Sequence, residues 1–328
     1  MRVSVVIPTL NEAEYLPQCL RSLSEHGGDA VTEIFVVDAG SSDDTVAIAE
    51  AANATVLKKE KDTIAGQRNL GAAIATGDLL AFLDADCTIN PGWAENAVRH
   101  FADPHVVSAG APPDIPDNNT TWVQQAWSFL KRKSQPRQMD VSWLASANVW
   151  VRKSSFDQIG GFDANLETCE DADLGFRLNR LGRTISDPGI SVQHHREPRT
   201  LTHFYKKEVW HGKHSYDGLL KGRLTLAEIP SLVTPFLFVG SFVLMVVGIL
   251  TTGPWGHWIL LTGIAGLFAA PVAYTLRAVL KKGQWLRSPQ YLLVYFVYFA
   301  ARADALVRAC WRLIVSPFQS KTAKNHAT

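Results

Sequence analysis

The sequence has few cysteines and lacks the glycine-rich phosphate motifs. Its four cysteines are scattered and form no CxxC pair: Cys19, Cys87, Cys169 and Cys310. This spacing argues against a disulfide framework and against a zinc cluster, and it favours reduced thiols in a reducing compartment. The segment PTLNE (8–12), which follows the first apolar run, contains neither GxGxxG nor GxxxxGK(S/T). A dinucleotide fingerprint and a P-loop are therefore excluded at this position.

Charge is distributed unevenly along the chain. Residues 1–228 hold 23 Lys and Arg against 30 Asp and Glu, whereas residues 229–328 hold 9 Lys and Arg against one carboxylate, Asp304. Because the basic excess lies in the most apolar part of the chain, the pattern excludes a nucleic-acid binder of the basic-patch kind. The N-terminal apolar run is too short for a signal peptide, so we expect residues 1–228 to stay in the cytosol.

Lys, Arg, Asp and Glu are all absent from residues 229–276. A membrane-spanning helix needs about 20 apolar residues, so this run is long enough for two helices joined by the breaker-rich turn TTGPWG (251–256). Basic residues flank the run on both sides: Lys221, Arg223, Lys281, Lys282 and Arg287. The positive-inside rule therefore predicts a hairpin with spans near 230–250 and 258–279 and both ends in the cytoplasm. A buried helical pair of a soluble protein is the alternative.

A third apolar stretch, 289–301, is shorter and continues into a segment that contains Arg302 and Asp304. If this stretch crossed the membrane, both charges would lie at membrane depth, which is costly. The pattern favours an interfacial or re-entrant amphipathic helix with its arginines at anionic headgroups, and it leaves a third span open.

Residues 1–112 alternate strand-like and helix-like segments, which predicts an α/β domain with a parallel sheet covered by helices. Four strands are predicted: Val3–Ile7, Glu33–Asp38, Ala54–Leu57 and Leu79–Leu83. Asn11 and Thr63 are placed to cap helices. Ligands of such sheets bind at the carboxyl ends of the strands, where Asp38, Asp84 and Asp86 occur.

Asp84-Ala85-Asp86 closes an apolar strand. Two carboxylates two residues apart can share one divalent ion if the backbone leaves strand geometry there. Hard oxygen ligands suit Mg²⁺ or Mn²⁺, and such an ion neutralises a diphosphate. A lone DxD motif can also be a pair of solvated acids in a turn. The prediction of a metal site therefore rests on the position of this motif directly after the predicted fourth strand.

Several blocks in order resemble the inverting family 2 glycosyltransferases of the GT-A fold. They are VVIPTLNE (5–12), VVDAGSSDDT (36–45), GQRNLGA (66–72), LLAFLDAD (79–86), SAN (146–148), VRKSSF (151–156), IGGFD (159–163), CEDADL (169–174) and Arg177. The resemblance covers roughly residues 1–195. It implies a GT-A-like, Rossmann-type α/β fold with a mixed, mostly parallel sheet, to which the C-terminal hairpin and amphipathic helix are added.

The resemblance implies roles for matching residues on the donor side. The first loop and the acid after the second strand hold the nucleotide base, which carries over to Pro8, Glu12 and Asp38. Arg68 lies near the diphosphate, where a guanidinium can pair with phosphate oxygens, and Asp84 lies near the ribose and the sugar. For Glu12 and Arg68, a first-turn helix acid and a surface helix arginine are the alternatives.

The resemblance also implies the metal ligand and the base. Asp86 binds Mn²⁺ or Mg²⁺, and His194 or His195 is expected to supply a further ligand, the alternative being a plain polar strand end. Glu170-Asp171 resembles the family motif whose aspartate is the general base, so Asp171 takes the acceptor proton and Glu170 supports it or binds acceptor.

On the acceptor side, Gly160, Gly161 and Phe162 resemble the acceptor loop, and Trp143 either stacks on a sugar or belongs to the core. The segment 204–212 either closes over the diphosphate with its lysines or forms an amphipathic juxtamembrane helix.

The length suggests about two domains. We predict a cytosolic glycosyltransferase domain at 1–225, a transmembrane hairpin at 226–282 and a membrane-associated segment at 283–328, in a multi-pass protein of the cell membrane.

The predicted function is metal-dependent, inverting transfer of a sugar from a nucleotide-diphosphate sugar to a hydroxyl acceptor. An intact Glu170-Asp171 favours a hydroxyl, and the hairpin favours a lipid or lipid-linked molecule. The alternative is a non-catalytic nucleotide-sugar-binding subunit of a membrane assembly. A processive polymerase is disfavoured because no QxxRW-type segment is found.

Overall fold

A computed structural model describes residues 1–116, 120–131, 138–212 and 229–325, with the side chains of residue 231 and residues 312–325 left aside. The chain forms two compact units, Met1–Thr120 with Arg132–Glu197, and Thr121–Lys131 with Pro198–Thr328. The predicted boundary at residue 225 lies outside the described residues, as do the flanking Lys221 and Arg223. The second unit thus includes two segments that the sequence analysis assigned to the cytosolic domain.

Among the described residues, all strands belong to the first unit. They are β1 (Val3–Thr9), β2 (Val31–Asp38), β3 (Thr55–Lys58), β4 (Leu79–Leu83), β5 (Cys87–Ile89), β6 (Val106–Gly110), β7 (Met139–Asp140), β8 (Asn148–Arg152), β9 (Arg183–Ser186) and β10 (Val192–His194). The helices are α1 (Leu16–His26), α2 (Thr45–Ala51), α3 (Ile64–Ile74), α4 (Trp93–His100), α5 (Trp122–Lys131), α6 (Lys153–Gln158), α7 (Glu170–Leu178), α8 (Leu201–His211), α9 (Ile229–Leu250), α10 (Pro254–Lys282) and α11 (Ser288–Asn325). A short 3-10 helix, Pro188–Ile190, precedes β10.

Eight strands form one mixed sheet in the order β3-β2-β1-β4-β8-β6-β9-β7. The first four in this order run parallel, β8 runs antiparallel to both neighbours, and β9 is again parallel to β6. Every residue of β1 and β4 is buried, as expected of central strands covered on both faces. The predicted mixed, mostly parallel α/β sheet is confirmed, including the bounds of β4.

Two apolar clusters pack on the two faces of this sheet. One surrounds Trp93 and Trp150, whose ring centroids are 4.4 Å apart, and the other surrounds Phe82 and Phe156 at 5.3 Å. A separate antiparallel pair, β5 with β10, aligns His194 with Cys87. This pairing brings the histidines of a late segment back to the acids that follow β4.

The two predicted helix caps have different outcomes. Thr63 caps α3 as predicted, because its side chain accepts the Gly66 amide at 3.1 Å. The prediction for Asn11 was wrong, since α1 begins later, at Leu16. Asn11 instead adopts a left-handed φ of 55° and its side-chain oxygen accepts the Ser42 amide at 2.8 Å, so it joins the loops after β1 and β2.

The described part of the second unit is helical. By length and apolar composition, Leu232–Leu250 and Pro254–Lys282 could each cross a membrane, and most of their side chains face outward. The predicted pair of apolar helices and the turn between them are therefore present. α11 is one continuous helix, as an amphipathic helix at this position predicts, and its interfacial, re-entrant or spanning placement stays a prediction. Its first half packs along both apolar helices, with Phe296 against Phe238 and Phe268.

α5 and α8 belong to this second unit because they share its apolar core. Val123, Ala126 and Phe204 are buried together with Tyr291 and Val294 of α11. The segment predicted as gating lysines or an amphipathic helix thus forms α8. Its Glu208 is buried against Arg302 at 3.1 Å, and the nearby charges of His211 and Arg302 lower the Glu208 pKa against the opposing effect of burial.

Candidate active site

The predicted donor-side acids lie at the carboxyl edge of the sheet. Asp38 ends β2, and Asp84 follows β4. β2 and β4 flank β1 and run parallel to it, so their ends meet at this edge. After Asp84 the chain turns, because the Cys87 amide donates to the Asp84 carbonyl at 3.0 Å. The backbone therefore leaves strand geometry at the DxD motif, as a shared metal ion requires.

Arg68 joins the acid after β4 to the acids at the start of α7. Its Nη2 donates to Asp84 Oδ1 at 2.7 Å and its Nη1 donates to Glu170 Oε1 at 2.9 Å. Only 1% of the Arg68 surface is exposed. Both terminal nitrogens contact carboxylates in this structure, and contact with a diphosphate stays a prediction for Arg68. Arg68 thus bridges two carboxylates, Asp84 and Glu170, that are far apart in the sequence.

Glu170 and Asp171 begin α7, where the helix dipole favours negative charge. Glu170 is buried and also accepts from Ser146 Oγ at 3.1 Å. Asp171 is half-buried, and its Oδ1 accepts from the amide of Ala172 at 2.7 Å. Burial, with the neighbouring Glu170 charge, raises the pKa of Asp171 to about 7. A carboxylate with this pKa is suited to accept a proton near neutral pH.

Asp86, Cys87 and His194 form a set of potential metal ligands, with donor atoms all within 4.8 Å of one another. His194 Nε2 lies 3.4 Å from Asp86 Oδ2, close enough for both to bind one ion. Among the described residues, no hydrogen-bond partner reaches the buried His194 Nδ1. The oxygen and imidazole donors fit Mn²⁺, whereas Cys87 is a thiol whose pKa is raised well above its usual value by burial.

The two candidate histidines differ in what their rings contact. His195 Nε2 lies 2.9 Å from Thr88 Oγ1, and the His195 amide donates to the Asp86 carbonyl at 2.9 Å. Burial lowers the pKa of the His195 imidazole. His195 therefore fixes the backbone beside Asp86, and His194 is the histidine placed to share an ion with that aspartate.

Glu12 is paired with Arg196, a residue that sequence reasoning missed. Arg196 Nη1 donates to Glu12 Oε1 at 2.7 Å, and the guanidinium carbon lies 5.0 Å from the centroid of the Tyr15 ring. Within the described chain, Glu12 Oε2 is buried and has no hydrogen-bond partner. Burial raises the pKa of Glu12 to about 7, Arg196 opposes this shift, and the charge of Asp86 adds to it.

Asp38 and Pro8 lie at the sheet edge as predicted, but both are buried. The Asp38 carboxylate accepts the amides of Gly40 and Ser41, each at 2.9 Å, and the hydroxyl of Ser41. Thr9 Oγ1 also lies 3.4 Å from Asp38 Oδ1. These contacts shape the loop that follows β2, so contact with a nucleotide base stays a prediction for Asp38.

The predicted acceptor residues divide into an exposed and a buried group. Trp143 is 43% exposed, so its indole is available to a ligand. Phe162 is 3% exposed and packs edge-on against Phe82, with ring centroids 5.0 Å apart. Its ring thus belongs to the core, and contact with an acceptor stays a prediction for Phe162. Gly161 has a φ of 73°, where an added Cβ would lie 2.6 Å from Asn69 Oδ1. Glycine is therefore needed for the loop itself.

The sequence analysis missed two side-chain contacts to acids, because each joins residues that are distant in the sequence. Ser146 and Arg196 contact acids 24 and 184 residues away in the sequence. In the sequence, Arg196 stands directly after the two candidate histidines, and Ser146 belongs to the SAN block. Neither position predicts which acid the side chain contacts.

The geometry thus brings together the Asp84–Arg68–Glu170 bridge, a set of potential metal ligands and Asp171, whose pKa is raised to about 7. Comparison with known proteins identifies the family. Residues 4–160 match the family described as Glycosyl transferase family 2. Residues 4–160 therefore form a glycosyl transferase family 2 domain, as the sequence blocks predicted.

Among curated relatives, the chain is 30% identical over 223 residues to the pre-mycofactocin glycosyltransferase of Mycobacterium tuberculosis, an alignment that covers 64% of this chain and 46% of that protein. The chain therefore spans about half the length of that relative. It is 26% identical over 235 residues to glycosyltransferase AglE of Haloferax volcanii, covering 69% of this chain and 77% of AglE.

A solved structure shares the fold. The mannosyltransferase PcManGT from Pyrobaculum calidifontis, solved in complex with GDP-Man and Mn²⁺, superimposes with a TM-score of 0.62 and 20% identity. The match covers 94% of this chain and 87% of that one. The predicted GT-A-like fold is thereby confirmed. At this identity the likeness concerns the fold alone.

Proposed function

We propose that the protein transfers a sugar from a nucleotide-diphosphate sugar to a hydroxyl acceptor with inversion at the anomeric carbon. The observation that carries the proposal is the Arg68 bridge, at 2.7 Å to Asp84 and 2.9 Å to Glu170. It holds the strand end that carries the DxD acids beside the helix start that carries Asp171. A donor bound at the first group would thus present its sugar near the second.

Asp171 acts as the general base. Inverting transfer needs one carboxylate that removes the acceptor proton as the hydroxyl oxygen attacks the anomeric carbon and the bond to the diphosphate breaks. The raised pKa of Asp171 fits that role, because the ionised form is available near neutral pH while its affinity for a proton is higher than that of an ordinary aspartate. Glu170 orients the site through Arg68 and Ser146.

Asp86 and His194 hold a divalent cation. When bound, this cation offsets negative charge on the departing nucleoside diphosphate. Support comes from their 3.4 Å separation and the oxygen–nitrogen donor set. Glu12 and Asp38 border the position of the nucleotide base, and Trp143 offers an exposed aromatic face to an acceptor sugar.

The acceptor is a lipid or lipid-linked alcohol at the cytoplasmic face of a membrane. This part rests on the two apolar helices in the second unit, whose side chains mostly face outward. It also rests on the intact Glu170-Asp171 pair, since an ionised phosphate acceptor would need no strong base.

The test incubates membranes that contain the full chain with radiolabelled nucleotide sugars, in Mn²⁺ or in EDTA. We expect transfer to a lipid extract with Mn²⁺, its loss in EDTA, and a loss of at least about 100-fold in Asp171→Asn. Asp157→Asn is the matched control, since Asp157 is an exposed aspartate that pairs with Lys153 on α6.

Wild-type turnover by Asp171→Asn would refute the assigned base. A wholly water-soluble product would refute the lipid acceptor. Donor binding without transfer or hydrolysis across acceptor pools would favour a non-catalytic subunit instead.

A further inference from the structure

The ion pair between Glu12 and Arg196 lies beside the residues proposed to hold the metal ion. The His195 amide is fixed to the Asp86 carbonyl at 2.9 Å, and its ring is fixed to Thr88 at 2.9 Å. Arg196 follows His195 directly, so its side chain begins one residue after the amide that is hydrogen-bonded to Asp86. Its guanidinium extends to Glu12 at 2.7 Å and stays 39% exposed.

The diphosphate of a nucleotide sugar carries two negative charges and gains a third as the bond to the sugar breaks, in a site that already contains Glu12, Asp84 and Asp86. One divalent cation does not balance this total, so a further cationic side chain near the diphosphate would stabilise the leaving group. Arg68 does not supply it in this structure, because both of its terminal nitrogens contact carboxylates and the group is buried. Arg196 combines proximity to Asp86 with an accessible guanidinium.

The partner of Arg196 is also suited to release it. Glu12 makes one contact to the guanidinium through Oε1. The Arg196 side chain is 39% exposed, so a ligand can reach its guanidinium, and an arginine–phosphate pair can form two parallel charge-assisted hydrogen bonds where Glu12 accepts one. The Tyr15 ring lies 5.0 Å from the guanidinium carbon. The face of this ring supports the guanidinium while the guanidinium nitrogens change partners.

We propose that Arg196 is a donor-binding residue that exchanges its partner, from Glu12 in the free protein to the diphosphate of the bound nucleotide. This inference rests on the proposed function, since it assumes a nucleoside diphosphate at the edge that carries Asp86. The exchange neutralises the diphosphate and leaves the Glu12 carboxylate free to face the nucleotide. Arg196 thereby makes donor affinity depend on the phosphates rather than on the base alone.

The test measures calorimetric dissociation constants of uridine and guanosine diphosphates and of the parent nucleosides, in Mn²⁺, for the detergent-solubilised full chain. Arg196→Ala should weaken binding of the preferred diphosphate by about 10- to 100-fold and leave nucleoside binding unchanged. Arg196→Lys should recover part of the loss. Glu12→Gln should increase the preference for diphosphate over nucleoside, because the guanidinium no longer has a competing carboxylate.

Arg180→Ala is the matched control, because Arg180 is an exposed arginine whose guanidinium also lies over an aromatic ring, Phe176, at 4.7 Å. It should bind the diphosphate as the wild type does. Wild-type diphosphate affinity in folded Arg196→Ala, or an equal loss for diphosphate and nucleoside, would overturn the inference. Failure of the wild type to bind any nucleoside diphosphate would instead overturn the proposed function.

Discussion

Replacing Asp171 with Asn should stabilise the protein while it inactivates it. Burial and the Glu170 charge raise the pKa of Asp171 from 3.8 to about 7. An acid whose pKa is higher in the folded state destabilises that state increasingly as the pH rises from the unfolded to the folded pKa, and the cost is constant above it. At 1.36 kcal/mol per pKa unit, this cost is about 4 kcal/mol at pH 8 and about 3 kcal/mol smaller at pH 5.

Asn keeps the shape of the side chain without its charge. Asp171→Asn should therefore gain about 2 to 4 kcal/mol at pH 8, which corresponds to a rise in melting temperature of roughly 4–16 °C for a unit of this size. The gain should shrink toward pH 5, where the wild-type carboxyl is protonated. Thermal unfolding followed by tryptophan fluorescence at both pH values measures this, with Asp157→Asn as a control expected to change little. A variant that is no more stable than wild type at pH 8, or a gain independent of pH, would refute the assigned environment of Asp171.

Three further predictions follow from the same contacts. The turnover number should rise with pH and level off above about pH 7, because Asp171 must be ionised to accept a proton; a rate that falls through this range would contradict its role. Arg68→Ala should destabilise the fold by about 3 to 5 kcal/mol, because it leaves two acids without their shared cation, and thermal unfolding of this variant tests the bridge. Asp86→Asn should abolish the effect of Mn²⁺ on diphosphate affinity in calorimetry, whereas an unchanged Mn²⁺ effect would remove Asp86 from the metal site.

The residues at the carboxyl edge of the sheet could be predicted because a local sequence pattern marks the end of each strand. β4 is an apolar run closed by Asp84, and its bounds could be read from composition alone. In a parallel α/β sheet, the carboxyl ends of neighbouring strands lie at the same edge. For the same reason the cap at Thr63 was predictable, since its partner lies three residues away.

Contacts between distant segments could not be predicted in the same way. Asn11 has the chemistry of a helix cap, but its side chain binds the loop after β2 instead. Arg68 has the chemistry of a phosphate ligand, but two acids from other elements surround it. The pairing of Glu12 with Arg196 depends on β10 returning to β5, which no local pattern indicates.

The anomeric configuration of the product tests the central claim most directly. A single base at Asp171, with the departing diphosphate on the opposite face of the sugar, predicts one displacement and therefore inversion. The configuration can be read by NMR from the one-bond carbon–hydrogen coupling at C1 of the transferred sugar. An α-linked donor should give a β-linked product, and an α-linked product would contradict the account.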